Sequence, residues 1–304
     1  MTTSTARLDE LCINTIRTLS MDAVQKANSG HPGTAMALAP LSYVLYTRIM
    51  RHNPQNPDWA DRDRFVLSAG HASMLLYSML YLTGYPLTLK DIKNFRQVGS
   101  PTAGHPERKY SPGIEATTGP LGQGISMSVG LALAERMLAA RFNRGEHPIV
   151  DHHTFTIASD GDMQEGVASE ACSLAGHLGL GRLITFYDAN NIQLASEVPV
   201  VMTEDVGARF EAYEWHVSDV GEDLSVETLE RATREAMEVE DRPSLVIVRS
   251  HIGIGSPLQD TSKAHGSPLG EDNIRQTKEN YGWDPDAQFL VPGDALEHFR
   301  GCCQ

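Results

Sequence analysis

Two short apolar runs rich in β-branched and aromatic residues, His153–Ser159 and Leu183–Tyr187, flank a stretch that opens at Gly161–Glu165 and reads as helix. That alternation leaves few folds open, because it is the strand–helix–strand unit of a parallel sheet. Asp160 closes the first run, and Asn190 follows 30 residues on, just past the second. In such a unit both emerge at the carboxyl ends of neighbouring strands, where open α/β sheets bind ligands. A carboxylate, an amide oxygen and a nearby backbone carbonyl at that edge suit a hard divalent ion holding phosphates.

The alternation extends along the chain. Arg64–Ser68 reads as a buried strand, followed by Ala69-Gly70-His71 and a helix over Ala72–Leu82. Trp215–Val220 and Ser244–Ser250 read as further strands, with a helix from Ser225 to Val239 between them. The expected fold is therefore α/β, a doubly wound parallel sheet flanked by helices. Ahead of it, helical spacing over residues 8–28 stops at the loop Asn28–Gly33, and an apolar helix is expected over Ala35–Met50. From about Trp283 the sequence becomes Asp/Pro-rich, so one domain is expected over 1–282, with a tail or the start of a linker over 283–304.

Composition narrows the class of function. A formal net charge of −14 over 304 residues argues against nonspecific binding to nucleic acid or to anionic membranes. It leaves room for a local cationic pocket that takes phosphorylated substrates. The four cysteines, Cys12, Cys172, Cys302 and Cys303, lack metal-type spacing apart from the adjacent last two, and read as reduced thiols. The N-terminus has no apolar signal region, and no run approaches the roughly 18 apolar residues of a membrane span. A soluble, cytoplasmic protein is expected.

Three loops carry candidate chemistry. His31 sits in a Gly/Pro-rich loop between two helices, and taken alone it reads as structural or solvated. His71 follows a strand and a glycine at the start of a helix, a geometry that favours phosphate. Residues 99–124 are rich in Gly and Pro and lack periodicity over 26 residues, and loops of that length are functional or disordered. They end in Thr117-Thr118-Gly119-Pro120-Leu121-Gly122-Gln123-Gly124, whose glycines let backbone approach a bulky ligand, ahead of an apolar helix over Ile125–Phe142. His265 lies in another Gly-rich loop beyond the last strand.

Taken together, these stretches resemble the transketolases, enzymes that use thiamine diphosphate, and match their N-terminal, diphosphate-binding domain. The resemblance rests on KANSGHPG (26–33), DRFVLSAGHASMLLYSMLYLTGY (63–85), AGHPE (103–107), TTGPLGQG (117–124), SDGDMQEG (159–166), EACSLAGHLGLG (170–181), YDANNI (187–192) and AHGSPLG (264–270), in family order. It implies that Asp160, Asn190 and the carbonyl of Ile192 hold Mg²⁺, or Ca²⁺ or Mn²⁺ in its place. It further implies that Gly161 lies against the diphosphate, and that Gly119 and Leu121 meet the aminopyrimidine side. By the same resemblance His71 and His265 reach diphosphate oxygens, while His31, His105 and His265 line the entrance as catalytic residues. Histidine suits that post, since it moves protons near neutral pH with little adjustment. Glu165 and Glu170 resemble acidic residues at the family's subunit interface, with Glu165 near the cofactor.

Some positions depart from the family pattern. Ser159 replaces the first glycine of the metal motif, which is tolerable if its φ is negative. Ala103 stands where proline is common, and QLASE after Ile192 lacks the usual turn, leaving Leu194 as the expected cofactor contact. The pyrimidine-binding and C-terminal domains of the family have no counterpart in these residues. The resemblance therefore implies a partner chain that supplies them, an α₂β₂ assembly, and transfer of a two-carbon ketol unit between sugar phosphates. Two alternatives stay open: a relative such as dihydroxyacetone synthase or deoxyxylulose-phosphate synthase, and a non-catalytic protein that binds and tunes a full-length relative.

Overall fold

The computed structural model describes residues 3–302. Five strands form one sheet: β1 (Arg64–Leu67), β2 (Thr154–Ser159), β3 (Leu183–Asp188), β4 (His216–Asp219) and β5 (Ser244–Val248). All neighbours are parallel, in the order β1-β2-β3-β5-β4. The helices are α1 (Thr3–Ala27), α2 (Gly33–Ala37), α3 (Ala39–Val44), α4 (Ser73–Thr83), α5 (Leu89–Lys93), α6 (Gln123–Phe142), α7 (Asp160–Met163), α8 (Gly166–Leu178), α9 (Val206–Ala212), α10 (Val226–Met237), α11 (Ser262–Gly266), α12 (Glu271–Asn280) and α13 (Gly293–Gly301).

Every residue of β2, β3 and β5 is buried, because side chains alternate between two apolar layers. Phe155, Ile157, Ile184, Phe186, Val246 and Val248 face a layer built with α1, α3, α4 and α10. Ala158, Leu183, Tyr187, Leu245 and Ile247 face the other, built with α6, α8 and α9. The chain passes β5's position to make β4 and then steps back, so α10 covers the face opposite α8 and α9. That exchange of faces follows from right-handed crossovers, and it gives the expected doubly wound sheet. No described helix is long and apolar enough to cross a membrane.

The structure corrects three expectations. The helix expected over Ala35–Met50 is α2, α3 and a π-helical turn, Leu45–Ile49. Leu38, at φ −93° and ψ 9°, leaves helical geometry between the first two, and Pro40, which lacks an N–H, takes the first turn of α3. The helix expected to run on from Met163 is broken at Glu165, whose extended backbone (φ −81°, ψ 133°) separates the single turn of α7 from α8.

The third correction concerns the expected tail. Phe289, Ala295 and Phe299 enter the main apolar layer, and α13 packs on α1 and α4. The strap before α13 is locked by a buried ion pair in which Lys278 Nζ donates to Asp22 Oδ1 at 2.6 Å and to the carbonyl of Ala287 at 2.6 Å. Asp22 Oδ2 accepts the Phe289 N–H at 2.7 Å. Asp/Pro-rich composition marked this stretch as irregular, and it is, but two aromatic anchors and one buried cation bind it to the core. Cys303 lies outside the described residues.

Replacing one partner of a buried pair strands the other charge, which costs about 3–5 kcal/mol. Lys278→Met is accordingly expected to lower unfolding free energy by about 3 kcal/mol in urea titrations. A loss below about 1 kcal/mol would show that the strap does not depend on this pair.

Candidate active site

Register sets the site. Ser159 pairs with Asp188 across β2 and β3, so Asp160 and Asn190 leave the sheet side by side. Ser159 has φ −117°, a region open to any residue, which removes the difficulty of a serine in place of glycine. It forms a reciprocal cap with Asp162, whose Oδ2 accepts the Ser159 N–H at 2.9 Å. Asp162 Oδ1 accepts the Ser68 hydroxyl at 2.7 Å and the Gly122 N–H at 2.7 Å. One buried carboxylate thus ties the ends of β1 and β2 to the glycine-rich loop that begins α6.

The glycines there are needed for close approach. A Cβ on Gly70 would stand 2.7 Å from the Gly119 nitrogen, and one on Gly124 would stand 2.4 Å from Ser68 Cα. Gly119 itself has φ +136°, and its face lies against the His105 ring, 3.0 Å from Cγ to the place a Cβ would take. The His105 loop is held from α4, where Tyr77 donates to the His105 carbonyl at 3.0 Å and Ser73 to the Gly104 carbonyl at 3.0 Å. These two bonds hold the loop that carries Ala103.

These elements enclose a cavity of about 430 Å³. Its wall includes His31, His71, His105, Gly119, Leu121, Asp160, Gly161, Asn190, Ile192, Leu194 and His265, so nearly all the expected site residues meet in one place. Glu165 is the exception: its extended backbone leaves the side chain exposed above Gly122, and Glu170 is exposed on α8. Leu194 is 69% exposed at the cavity rim, consistent with a contact that only a bound ligand would cover.

The histidines form a compact group. His31, His71 and His265 have ring centroids 5.2, 5.5 and 5.0 Å apart, taken pairwise. Burial lowers the pKa of each, most for His71, and lowers His31 to about 4, with His265 and Arg96 adding like-charge repulsion. His105 is also lowered, by burial and by Arg96. In all four, burial favours the neutral form. His265 Nδ1 is buried without any partner in the chain, an orphaned polar atom in a wall of this cavity.

The opposite wall carries a buried carboxylate beside an amide. Asp160 is 4% exposed, and burial pushes its pKa up while only neutral donors oppose this. Tyr187 donates to Oδ1 at 2.6 Å and the Asn191 N–H to Oδ2 at 3.1 Å. Asn191 adopts the left-handed conformation, φ +65°, which lets its N–H turn back to Asp160. Asp188, fully buried, accepts from Asn190 Nδ2 at 2.7 Å and from Ser250 at 2.5 Å, which fixes the amide of Asn190. No cluster of three or more His, Cys, Asp or Glu suited to a metal exists among the described residues. One carboxylate, one amide oxygen and a carbonyl make a sparse set, which fits an ion that completes its shell with phosphate oxygens and water.

Sequence reading missed Asp162, Asp188, Tyr187 and Arg96. The first was legible as a Ser-x-x-Asp capping box at 159–162. Tyr187, Arg96 and the Asp188–Ser250 contact act between distant segments, which no local pattern carries.

The fold and this site define an α/β cofactor-binding domain, with the cavity at the carboxyl edge of a parallel sheet. The family described as "Transketolase, thiamine diphosphate binding domain" matches residues 8–304, and the chain belongs to it. It is 53% identical to the transketolase of Halalkalibacterium halodurans over 96% of this chain and 44% of that protein. Identity to the Bacillus subtilis transketolase is 51%, over 96% and 44% respectively. Among solved structures, a Pichia stipitis transketolase in complex with sedoheptulose 7-phosphate superposes with a TM-score of 0.96 at 47% identity, covering 97% of this chain and 44% of the other. The chain thus spans less than half the length of the relatives it matches.

The neutral histidine group makes a pH prediction. The folded-state pKa of His31, about 4, lies below its unfolded value, ordinarily 6.5. Its contribution to stability is therefore full above pH 6.5 and lost as pH falls toward 4. Wild-type stability should fall more steeply than that of His31→Gln over this range in urea titrations. Parallel pH profiles for the two proteins would show that His31 is not held neutral by the fold.

Proposed function

We propose that this chain provides the diphosphate- and metal-binding half of a thiamine diphosphate-dependent transketolase, which moves a two-carbon ketol unit between sugar phosphates together with a pyrimidine-binding partner region. The observation that carries this reading is the single cavity in which neutral imidazoles face a carboxylate–amide pair. Bound there, the cofactor would supply the carbanion chemistry that breaks and forms the C–C bond.

The chain's own residues take defined parts. Asp160, Asn190 and the Ile192 carbonyl would hold Mg²⁺, with Ca²⁺ or Mn²⁺ able to substitute. Gly161, whose Cβ would stand 3.0 Å from Leu121 Cδ1, leaves backbone bare toward the diphosphate. His71 and the unpartnered His265 Nδ1 offer groups to its oxygens. His31, His105 and His265 would hydrogen-bond and exchange protons with substrate hydroxyls at the entrance, and the low pKa values of His105 and His265 favour the neutral form that accepts one. Gly119 and Leu121 would meet the aminopyrimidine side.

Exposed Glu165 and Glu170 suit contacts with a second chain or a further part of the protein, in an α₂β₂ or homodimeric assembly. The sugar phosphates named with the Pichia stipitis enzyme support the substrate class. Free Cys12, Cys172 and Cys302 agree with a reducing, cytoplasmic setting.

Two measurements test the proposal. Calorimetric titration of Mg²⁺–thiamine diphosphate should show binding that Asp160→Ala weakens at least about 100-fold, since it removes the only charged donor in the set. Unchanged affinity would place the metal elsewhere. Mixing the chain with the pyrimidine-binding and C-terminal domains of a relative should restore ketol transfer from xylulose 5-phosphate to ribose 5-phosphate. Cofactor binding without transfer in that mixture would favour the regulatory reading.

A further inference from the structure

Arg96 stands behind the histidine wall and belongs to no cofactor contact assigned above. Its backbone is left-handed, φ +61°, an uncommon state for a residue with a β-carbon and one that persists only where its surroundings dictate it. The surroundings are explicit. The Arg96 N–H donates to the Thr102 carbonyl at 2.9 Å, and the Thr102 hydroxyl donates to the Asp91 carbonyl at 2.7 Å, closing the loop. Gly104 makes room for the guanidinium, since a Cβ there would stand 3.1 Å from Arg96 Nε.

The side chain is arranged without a carboxylate. Nη1 donates to Ser29 Oγ at 2.8 Å, Nη2 lies 3.5 Å from His31 Nδ1, and Nε is buried with no partner. A guanidinium has donors only, so the facing His31 nitrogen must accept and carries no proton. The proton of a neutral imidazole then resides on Nε2. That nitrogen is at the other edge of the ring, 3.4 Å from where a Cβ on Gly266 would stand, beside the His265 ring.

We propose that Arg96 is a positioning residue that locks His31 in the Nε2–H form, so that this atom presents a hydrogen-bond donor to the cavity. The left-handed backbone of Arg96 accompanies this placement, and the Ser29 hydroxyl accepts from Nη1 at 2.8 Å. The groups facing His31 are His71 from the turn before α4, His265 from α11, His105 from the loop before α6, and Arg96 itself. Three are imidazoles able to donate or accept, so Arg96 is the one neighbour whose hydrogen-bonding role is fixed. The inference deepens the reading of His31 as an entrance residue and rests on it only for the purpose the donor serves.

The test needs neither cofactor nor turnover, so it fails or succeeds separately from that reading. In the ¹⁵N-histidine-labelled chain, with His31 assigned through His31→Gln, Nδ1 is expected at the imine-like end of the nitrogen shift range. Nε2 is expected at the pyrrole-like end, from pH 7 down to about 5. The reverse pattern in the unaltered protein would overturn the proposal, whatever the variants do. In Arg96→Met the two nitrogens should move toward averaged shifts, and the His31 midpoint should rise somewhat above about 4, burial still holding it low. Arg96→Lys should keep the midpoint low yet leave the shifts partly averaged, because a point charge lacks the fixed fork. Unchanged His31 shifts in a folded Arg96→Met would also overturn it.

Discussion

The Asp162 carboxylate is the contact on which the site's geometry depends. It is fully buried, and all its partners are hydrogen-bond donors from different segments: Ser68 beyond β1, Gly122 before α6, and Ser159 at the end of β2. A buried carboxylate is costly unless its lone pairs are satisfied, so the arrangement that satisfies them is strongly preferred over its neighbours. That arrangement sets the glycine loop against the β1 turn and so sets the distance between Leu121 and Gly161. Ser68 extends the same network, because its Oγ also accepts the Ile125 N–H at 2.9 Å and anchors the first turn of α6. The cavity is a consequence of one acid finding its donors.

How far the sequence foretold this follows from the range of each signal. The parallel sheet was legible because β2, β3 and β5 are short apolar runs separated by helical stretches, and each is buried on both faces. Asp160 and Asn190 were legible because the strand ends are local features and their adjacency follows from a βαβ unit. The histidines were different. Three of them lie 40 or more residues apart in sequence, and apart from the strand and glycine ahead of His71 no local pattern sets them off from solvated histidines. Ring contacts of about 5 Å exist only once the fold has closed. Arg96 and the Asp22–Lys278 pair were invisible for the same reason: their partners are 65 and 256 residues away. The missed break at Glu165 is of another kind, since nothing in Met163-Gln164-Glu165-Gly166 forbids a helix, and the cap of α7 decides it.

The histidine wall also explains how an acidic chain can hold polyanions. Positive side chains placed there would pair with the many carboxylates, or would repel one another in a dry cavity. Neutral imidazoles avoid both outcomes and still present N–H groups. Protonation then follows the ligand: a diphosphate would raise the pKa values that burial now lowers, and the cavity would gain charge only when there is charge to match. Arg96 adds a fixed cation just behind, which opposes premature protonation of His31 and His105.

The two edges of the sheet show how stability and function are divided. At the amino edge several acids are tied down by hydrogen bonds and ion pairs. Asp63 accepts from the Arg51 and His153 N–H groups at 2.7 Å each, Asp61 accepts from the Asp151 N–H at 2.6 Å and contacts His152, and Arg182 pairs with Asp151. At the carboxyl edge His265 Nδ1 and Arg96 Nε are buried without partners, and Asn191 and Arg96 hold left-handed backbone. Each of these would be a defect in a structure selected for stability alone. That the cavity wall keeps such features, His265 Nδ1 above all, while the acids Asp61 and Asp63 at the other edge are held by donors, is how a fold can be secure at one end and incomplete at the other until it binds.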